Sequence, residues 1–189
     1  SGFVIGYAYD DRWNRMTLWG FFKRRLVRLH PMLIMGTIVG ACFYFFGQCP
    51  QFGLEGYADG GKFLLAFILA LFMIPVGSGL DVRGWGEMNP LNGPQWSLTY
   101  EYIGNILYAF IFRKLPNFAL AVLAGAAAFC TLDLFLNLNV FCLLTEGRNY
   151  AAYTVIGGWS LAPEQIYIGF TRLLYPFLSG LLLSRIGKK

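Results

Sequence analysis

Charged residues are scarce in this sequence: 13% of 189 positions, where a soluble domain carries about 25%. That excludes an ordinary soluble domain. The net charge of +5 is not spread as a nucleic-acid footprint, because six of the fifteen basic residues lie between Arg12 and Arg28, beside an apolar stretch. Histidine occurs once, as His30. Cys42, Cys49, Cys130 and Cys142 show neither CxxC nor Cys/His spacing, so no metal site is expected. They read as small apolar residues, with a Cys49–Cys142 disulfide left open. Internal repeats, low-complexity stretches and a separate soluble domain are also missing, which leaves one domain over 1–189. There is no signal peptide with its own charged segment. The chain opens at Ser1 inside an apolar run and closes at Gly187-Lys188-Lys189 straight after another. It therefore reads as the middle of a longer membrane protein, incomplete at both ends.

What is abundant is apolar: 57% of the residues are hydrophobic and 18% aromatic, arranged in runs long enough for membrane helices. The expected class is all-α, a multi-pass transmembrane helix bundle that is part of a larger one, in the cell (inner or plasma) membrane with the lipid bilayer as its partner. Ser1–Tyr9 reads as the last turns of a helix, followed by a polar connection from Asp10 to Arg15. Met16–Arg25 mixes Trp19, Phe21 and Phe22 with cations, as an interfacial segment does. It leads into a span over Leu26–Phe46, where Gly36 and Gly40 form a helix-packing face. After a Gly-rich connection containing Glu55 and Asp59, Lys62–Val76 is a short apolar segment ended by Pro75 and Gly77-Ser78-Gly79. A polar loop over Leu80–Gln95 follows. Trp96–Phe112 is a helix, Arg113–Asn117 a tight turn, and Phe118–Leu138 a span with Ala121, Ala124, Gly125 and Ala128 as its packing face. Asn139–Glu164, with Glu146 and Arg148, is a long connection, and Gln165–Ile186 is the last span. If every span crosses, Arg113, Lys114, Arg185, Lys188 and Lys189 lie opposite the Arg12–Arg28 cluster. If Lys62–Val76 dips in and returns, they lie on its side, as the positive-inside rule prefers. The cluster itself is placed in the cytoplasm.

Two stretches carry chemistry. In Trp96-Ser97-Leu98-Thr99-Tyr100-Glu101, Ser97 and Glu101 begin a line that Asn105 continues at i, i+4 and i+8. The line descends one helix face for about 12 Å, and a carboxylate in so apolar a setting needs a partner or a wet cavity. Upstream, Lys23-Arg24-Arg25-Leu26-Val27-Arg28-Leu29-His30-Pro31 puts Arg25 and Arg28 three apart and Arg24 and Arg28 four apart. Each has a plain reading beside a functional one. The arginines can be topology anchors that snorkel to headgroups, or forks for phosphate. Glu101 can brace its helix near the N-terminus, or orient a reacting group. Arg172, about 10 Å into the last span, can pair with Glu101 or Asp133, or touch a ligand. His30 reads as a satisfied interfacial side chain, and Trp13, Trp19, Trp85 and Trp159 as an interface belt.

Ser1-Gly2-Phe3, then R-x-x-R (Arg25, Arg28) before a proline, then WSL-x-x-E, resembles in its order the acyltransferase-3 family. These integral membrane acyltransferases include bacterial O-acetyltransferases of polysaccharides. The resemblance covers most of the chain. It implies transfer of an acyl group, acetyl above all, from acyl-CoA (acetyl-CoA) to a hydroxyl on a glycan or other cell-envelope acceptor. It places Glu101 and Ser97 at the reaction centre, where Arg172 is added as an intramembrane cation. Arg24, Arg25 and Arg28 would lie on the CoA phosphates, and Trp96, Ser1 and Gly2 around the substrate. The family's proposed catalytic histidine lies in a helix before SGF; the base is expected from there, His30 is given no such role, and residues 1–189 alone are expected to be inactive. No oligomeric state is implied. A transporter or flippase subunit is the alternative from another class, although such folds usually carry inverted repeats. A non-catalytic scaffold would leave Glu101 and Arg172 unexplained.

Overall fold

The structure, a computed structural model, describes residues 1–46, 60–145, 148 and 151–187. Cys49, Glu55, Asp59, Glu146, Lys188 and Lys189 lie outside the described residues. Six α-helices follow in order: α1 (Gly2–Tyr9), α2 (Leu18–Phe46), α3 (Gly60–Leu71), α4 (Gln95–Phe110), α5 (Asn117–Leu136) and α6 (Pro163–Ile186). No strand occurs among the described residues. Helices α2, α5 and α6 are long and apolar enough to cross a membrane. Their outward faces carry exposed Val27, Met35, Phe43, Val122, Leu132 and Leu183, the surface that lipid covers. The chain divides into two compact units, one of Ser1–Phe22, Tyr100–Gly158 and Pro163–Lys189, the other of Lys23–Thr99 and Trp159–Ala162.

In the first unit α1 and α5 pack on α6. The core joins Ile5, Phe21, Tyr108, Leu120, Phe177 and Leu181. An eight-residue helix has little intrinsic stability, and α1 persists because it lies against α6. A Cβ on Gly2 would overlap the carbonyl of Phe177, and one on Gly6 would overlap Ser184. Small residues on facing membrane helices permit that approach. On α5 the buried stripe is Leu120, Ala124, Ala127 and Leu134. Ala121 and Gly125 are exposed, so the expected small-residue face is half right: the stripe follows period 3.6 through the larger leucines. Asn137 closes the helix in the left-handed conformation, φ 54°, as Asn tolerates.

In the second unit α2 buries Arg25, Leu29, Leu33, Thr37 and Tyr44, largely at spacing i, i+4. The helix begins at Leu18, so the expected interfacial segment and the span are one element. Its 29 residues extend about 43 Å against a hydrocarbon core of about 30 Å. The excess explains how a basic block is carried inside the helix. Gly36 and Gly40 receive Asn92 and the Leu91 carbonyl of a loop, not another helix. Helix α3 stops at Leu71, ahead of Pro75, where Met73 turns to φ 61°. Its 12 residues give about 18 Å, too short to cross. Gln95 fastens this unit: its Nε2 donates to Ala70 O at 2.8 Å and its Oε1 accepts from Thr37 Oγ1 at 3.4 Å. Asp81 accepts the backbone N–H groups of Arg83, Gly84 and Gly86, which shapes the α3–α4 loop as Asp does in turns.

Contacts within the first unit bear on the two topologies left open by charge. The Arg185 guanidinium pairs with Asp10 at 2.7 Å, and Arg113 lies over the Trp13 ring at 4.4 Å. Arg113 and Arg185 therefore sit at the same end as Asp10–Arg15. The arrangement in which Lys62–Val76 dips in and returns expects that placement. Trp13 packs edge-on against Tyr108 within the unit.

Candidate functional site

Helix α4 starts at Gln95, one residue before Trp96. Ser97 is exposed and its hydroxyl donates back to Pro94 O at 2.8 Å, a first-turn bond that Ser often makes. Trp96 is half-buried. Along the same face the polar line sinks inward: Ser97 exposed, Glu101 half-buried, Asn105 fully buried.

Glu101 is where two distant stretches meet. Its Oε1 accepts a hydrogen bond from Ser1 Oγ at 2.7 Å, across 100 residues of sequence. The α1–α6 contact at Gly2 holds Ser1 within reach, so Gly2 acts through backbone packing. One turn deeper, neither Oδ1 nor Nδ2 of Asn105 has a hydrogen-bond partner among the described residues. An amide so placed costs free energy unless a water or ligand group meets it.

Arg172 donates from Nη1 to Gly157 O at 2.7 Å, and Gly158 N–H donates to Gln165 Oε1 at 2.7 Å. Both bonds fasten the loop before α6 to α6 itself. Asp133, weighed as a partner for Arg172, instead accepts from Tyr167 Oη at 2.7 Å and from Val140 N–H at 2.9 Å. Arg148, which sequence reading passed over as a loop charge, is buried. It lies 3.7 Å from Glu164 and donates to Ile156 O at 3.1 Å, a staple across the connection.

In the second unit the basic cluster divides. Arg25 is 2% exposed, within the buried stripe of α2, whereas Arg24 and Arg28 are exposed four residues apart. Arg24 and Arg28, more than Arg25 and Arg28, thus share an open face. His30 is half-buried, and its Nδ1 has no hydrogen-bond partner among the described residues, contrary to the satisfied side chain expected. In the α3–α4 loop, burial lifts the Glu87 carboxyl above its usual 4.5; Arg83, 3.9 Å away, opposes the rise and Asp81 adds to it. Cys42, Cys130 and Cys142 are free thiols. Among the described residues no cluster of His, Cys, Asp and Glu is arranged to hold a metal ion.

Sequence reading missed one polar network outright. Asp10 accepts from Tyr108 Oη at 2.6 Å and from Arg185 Nε at 2.7 Å. Arg185 also donates to the carbonyls of Leu115, Arg113 and Phe112. The only signal was a lone charge at each of several apolar run ends, with Asp10 and Arg185 175 positions apart.

Three apolar helices long enough to span, with polar side chains gathered on inner faces and at helix ends, define a helical membrane protein. Residues 1–189, the whole chain, match the family model for the acyltransferase domain, and the chain belongs to the acyltransferase-3 family. It is thus an acyltransferase of membrane type. No curated protein and no solved structure matches it.

Proposed function

We propose that this chain forms part of a multi-pass O-acyltransferase of the cell membrane. It would move an acyl group, acetyl foremost, from acyl-CoA to a hydroxyl of a glycan or other envelope acceptor. The observation that carries the reading is the Ser1–Glu101 hydrogen bond. It joins the SGF and WSL-x-x-E motifs at one point beside a buried, unpartnered Asn105. The acceptor oxygen attacks the thioester carbonyl carbon and the C–S bond breaks. The acceptor's proton passes to a base and then to the CoA thiolate, leaving an ester and a thiol. Glu101, held by Ser1, orients that base or the acceptor hydroxyl, and Asn105 donates toward the developing oxyanion. Arg24 and Arg28 grip the donor phosphates as guanidinium forks; Arg25 braces α2 from within. Arg172 contributes by holding its loop. The cationic end lies in the cytoplasm, where acyl-CoA is found.

The test is thioester consumption and ester formation by the full-length protein. Glu101→Gln should reduce transfer at least about a hundredfold, in the range of losing a general acid–base contribution, with insertion and melting unchanged. Near-wild-type transfer by that variant refutes the role of Glu101. Absence of any acyl-CoA consumption by the full-length protein, with substrate efflux or lipid flipping in its place, would establish the transporter alternative.

A further inference from the structure

We propose that the cleft lined by Asp10, Trp13, Asn14, Arg113 and Arg185 binds the phosphate of an anionic phospholipid headgroup. The cleft lies within the first unit and has a volume of about 290 Å³, the scale of a small polar group and at the lower limit of ligand pockets.

Its charge is not balanced. Both oxygens of Asp10 are engaged, one by Tyr108 and one by Arg185. Arg185 in turn spends its remaining donors largely on three carbonyls. Those two side chains neutralise each other. Arg113 differs: its Nε donates to Ala109 O at 2.6 Å and its plane covers Trp13. Its two Nη groups have no protein acceptor among the described residues. The guanidinium is thus held rigidly from one side while its outer edge faces the cleft. A planar fork fixed in that way suits two phosphate oxygens. The amide of Asn14 supplies a further donor on an exposed turn.

A lipid fits better than a free phosphate because the surroundings are apolar. Exposed Phe110 and Ile111 directly precede the turn that carries Arg113, and exposed Leu18 and Trp19 follow shortly after Asn14. Phe110 reaches Phe22 at 6.3 Å between ring centres, so these two aromatic segments adjoin. Acyl chains would lie along them while the phosphate enters the cleft, as at membrane-protein headgroup sites lined by basic and aromatic residues.

The test is native mass spectrometry of the full-length protein in detergent with dioleoyl phosphatidylglycerol or dioleoyl phosphatidylcholine, backed by melting in the same lipids. Phosphatidylglycerol should bind severalfold more tightly than phosphatidylcholine, which carries the same phosphate but brings a choline cation toward Arg113 and Arg185. Arg113→Ala should erase the preference and Arg113→Lys should retain part of it. Asn14→Asp changes an exposed side chain that supports no packing, and should weaken phosphatidylglycerol severalfold even if Arg113→Ala fails to fold. Equal binding of the two lipids overturns the proposal, as does a preference unmoved by Asn14→Asp. Equal protection by inorganic phosphate, or displacement of bound phosphatidylglycerol by free CoA, would reassign the cleft to a soluble phosphate and overturn the lipid assignment.

Discussion

Replacing Arg185 by alanine is the sharpest test of the first unit. The side chain lies at the end of α6, 15% exposed, paired at 2.7 Å with an Asp10 carboxylate that is equally covered. It also donates to Leu115 O at 2.7 Å, Arg113 O at 3.1 Å and Phe112 O at 3.3 Å, carbonyls of the short turn that follows α4. One guanidinium therefore ties the end of α1, the end of α4, the start of α5 and the end of α6. Removing it strands the carboxylate with Tyr108 alone and leaves three acceptors to whatever water can reach them. Breaking a buried pair costs about 3–5 kcal/mol; with residual exposure, the lower end, about 3 kcal/mol, is expected. Asp10→Asn should cost less, because the amide oxygen still accepts from Tyr108. The two should be coupled by about 1 kcal/mol or more, since they share one interaction. The assay is reversible unfolding in mixed detergent micelles for the wild type, both single variants and the double variant. A loss below about 0.5 kcal/mol, the usual level of surface changes, or strict additivity with Asp10→Asn, would refute the network as the clasp of this unit.

Gly2→Ala should destabilise by about 3 kcal/mol, the upper end of the overpacking range, since the new methyl meets the Phe177 backbone; a melting temperature like wild type would contradict the close α1–α6 approach. Arg24→Ala and Arg28→Ala should each weaken CoA binding by about 1.5–3 kcal/mol with little effect on stability, while Arg25→Ala should chiefly lower stability; unchanged CoA affinity in the first two removes the phosphate reading. The Glu87 carboxyl, raised above 4.5 in the folded chain, stays protonated there while the unfolded chain ionises. Its contribution to stability is therefore full below pH 4.5 and lost as pH rises through the raised value. Glu87→Gln should match wild type at low pH and become the more stable of the two above that window; a stability difference independent of pH would contradict it.

Hydropathy and spacing were enough to read an all-helical membrane protein, its family and its main helices, because the 3.6 period and long apolar runs are local properties of the chain. The motif order carried the family, and the i, i+4, i+8 spacing carried the inward course of Ser97, Glu101 and Asn105. Boundaries were less legible. Nothing in the composition of Met16–Arg25 separates an interfacial helix from the first turns of a longer one, and α2 absorbed both. Which residues of α5 face inward depended on what stood opposite them, so Ala124 and Ala127 are buried while Ala121 and Gly125, equally small, are exposed.

Pairing was decided by tertiary structure alone. A lone charge announces that it needs a partner but not which one, because the partner's distance along the chain carries no local trace. Asp10 found Arg185, Asp133 found Tyr167, and Glu101 found Ser1, each set by how α1 and α5 lie on α6 or by where α4 passes the first residue. The same packing turned Arg25 inward and left Arg24 and Arg28 outside. The sequence determined which residues cannot stand alone in an apolar interior, and the helix contacts determined with whom they stand.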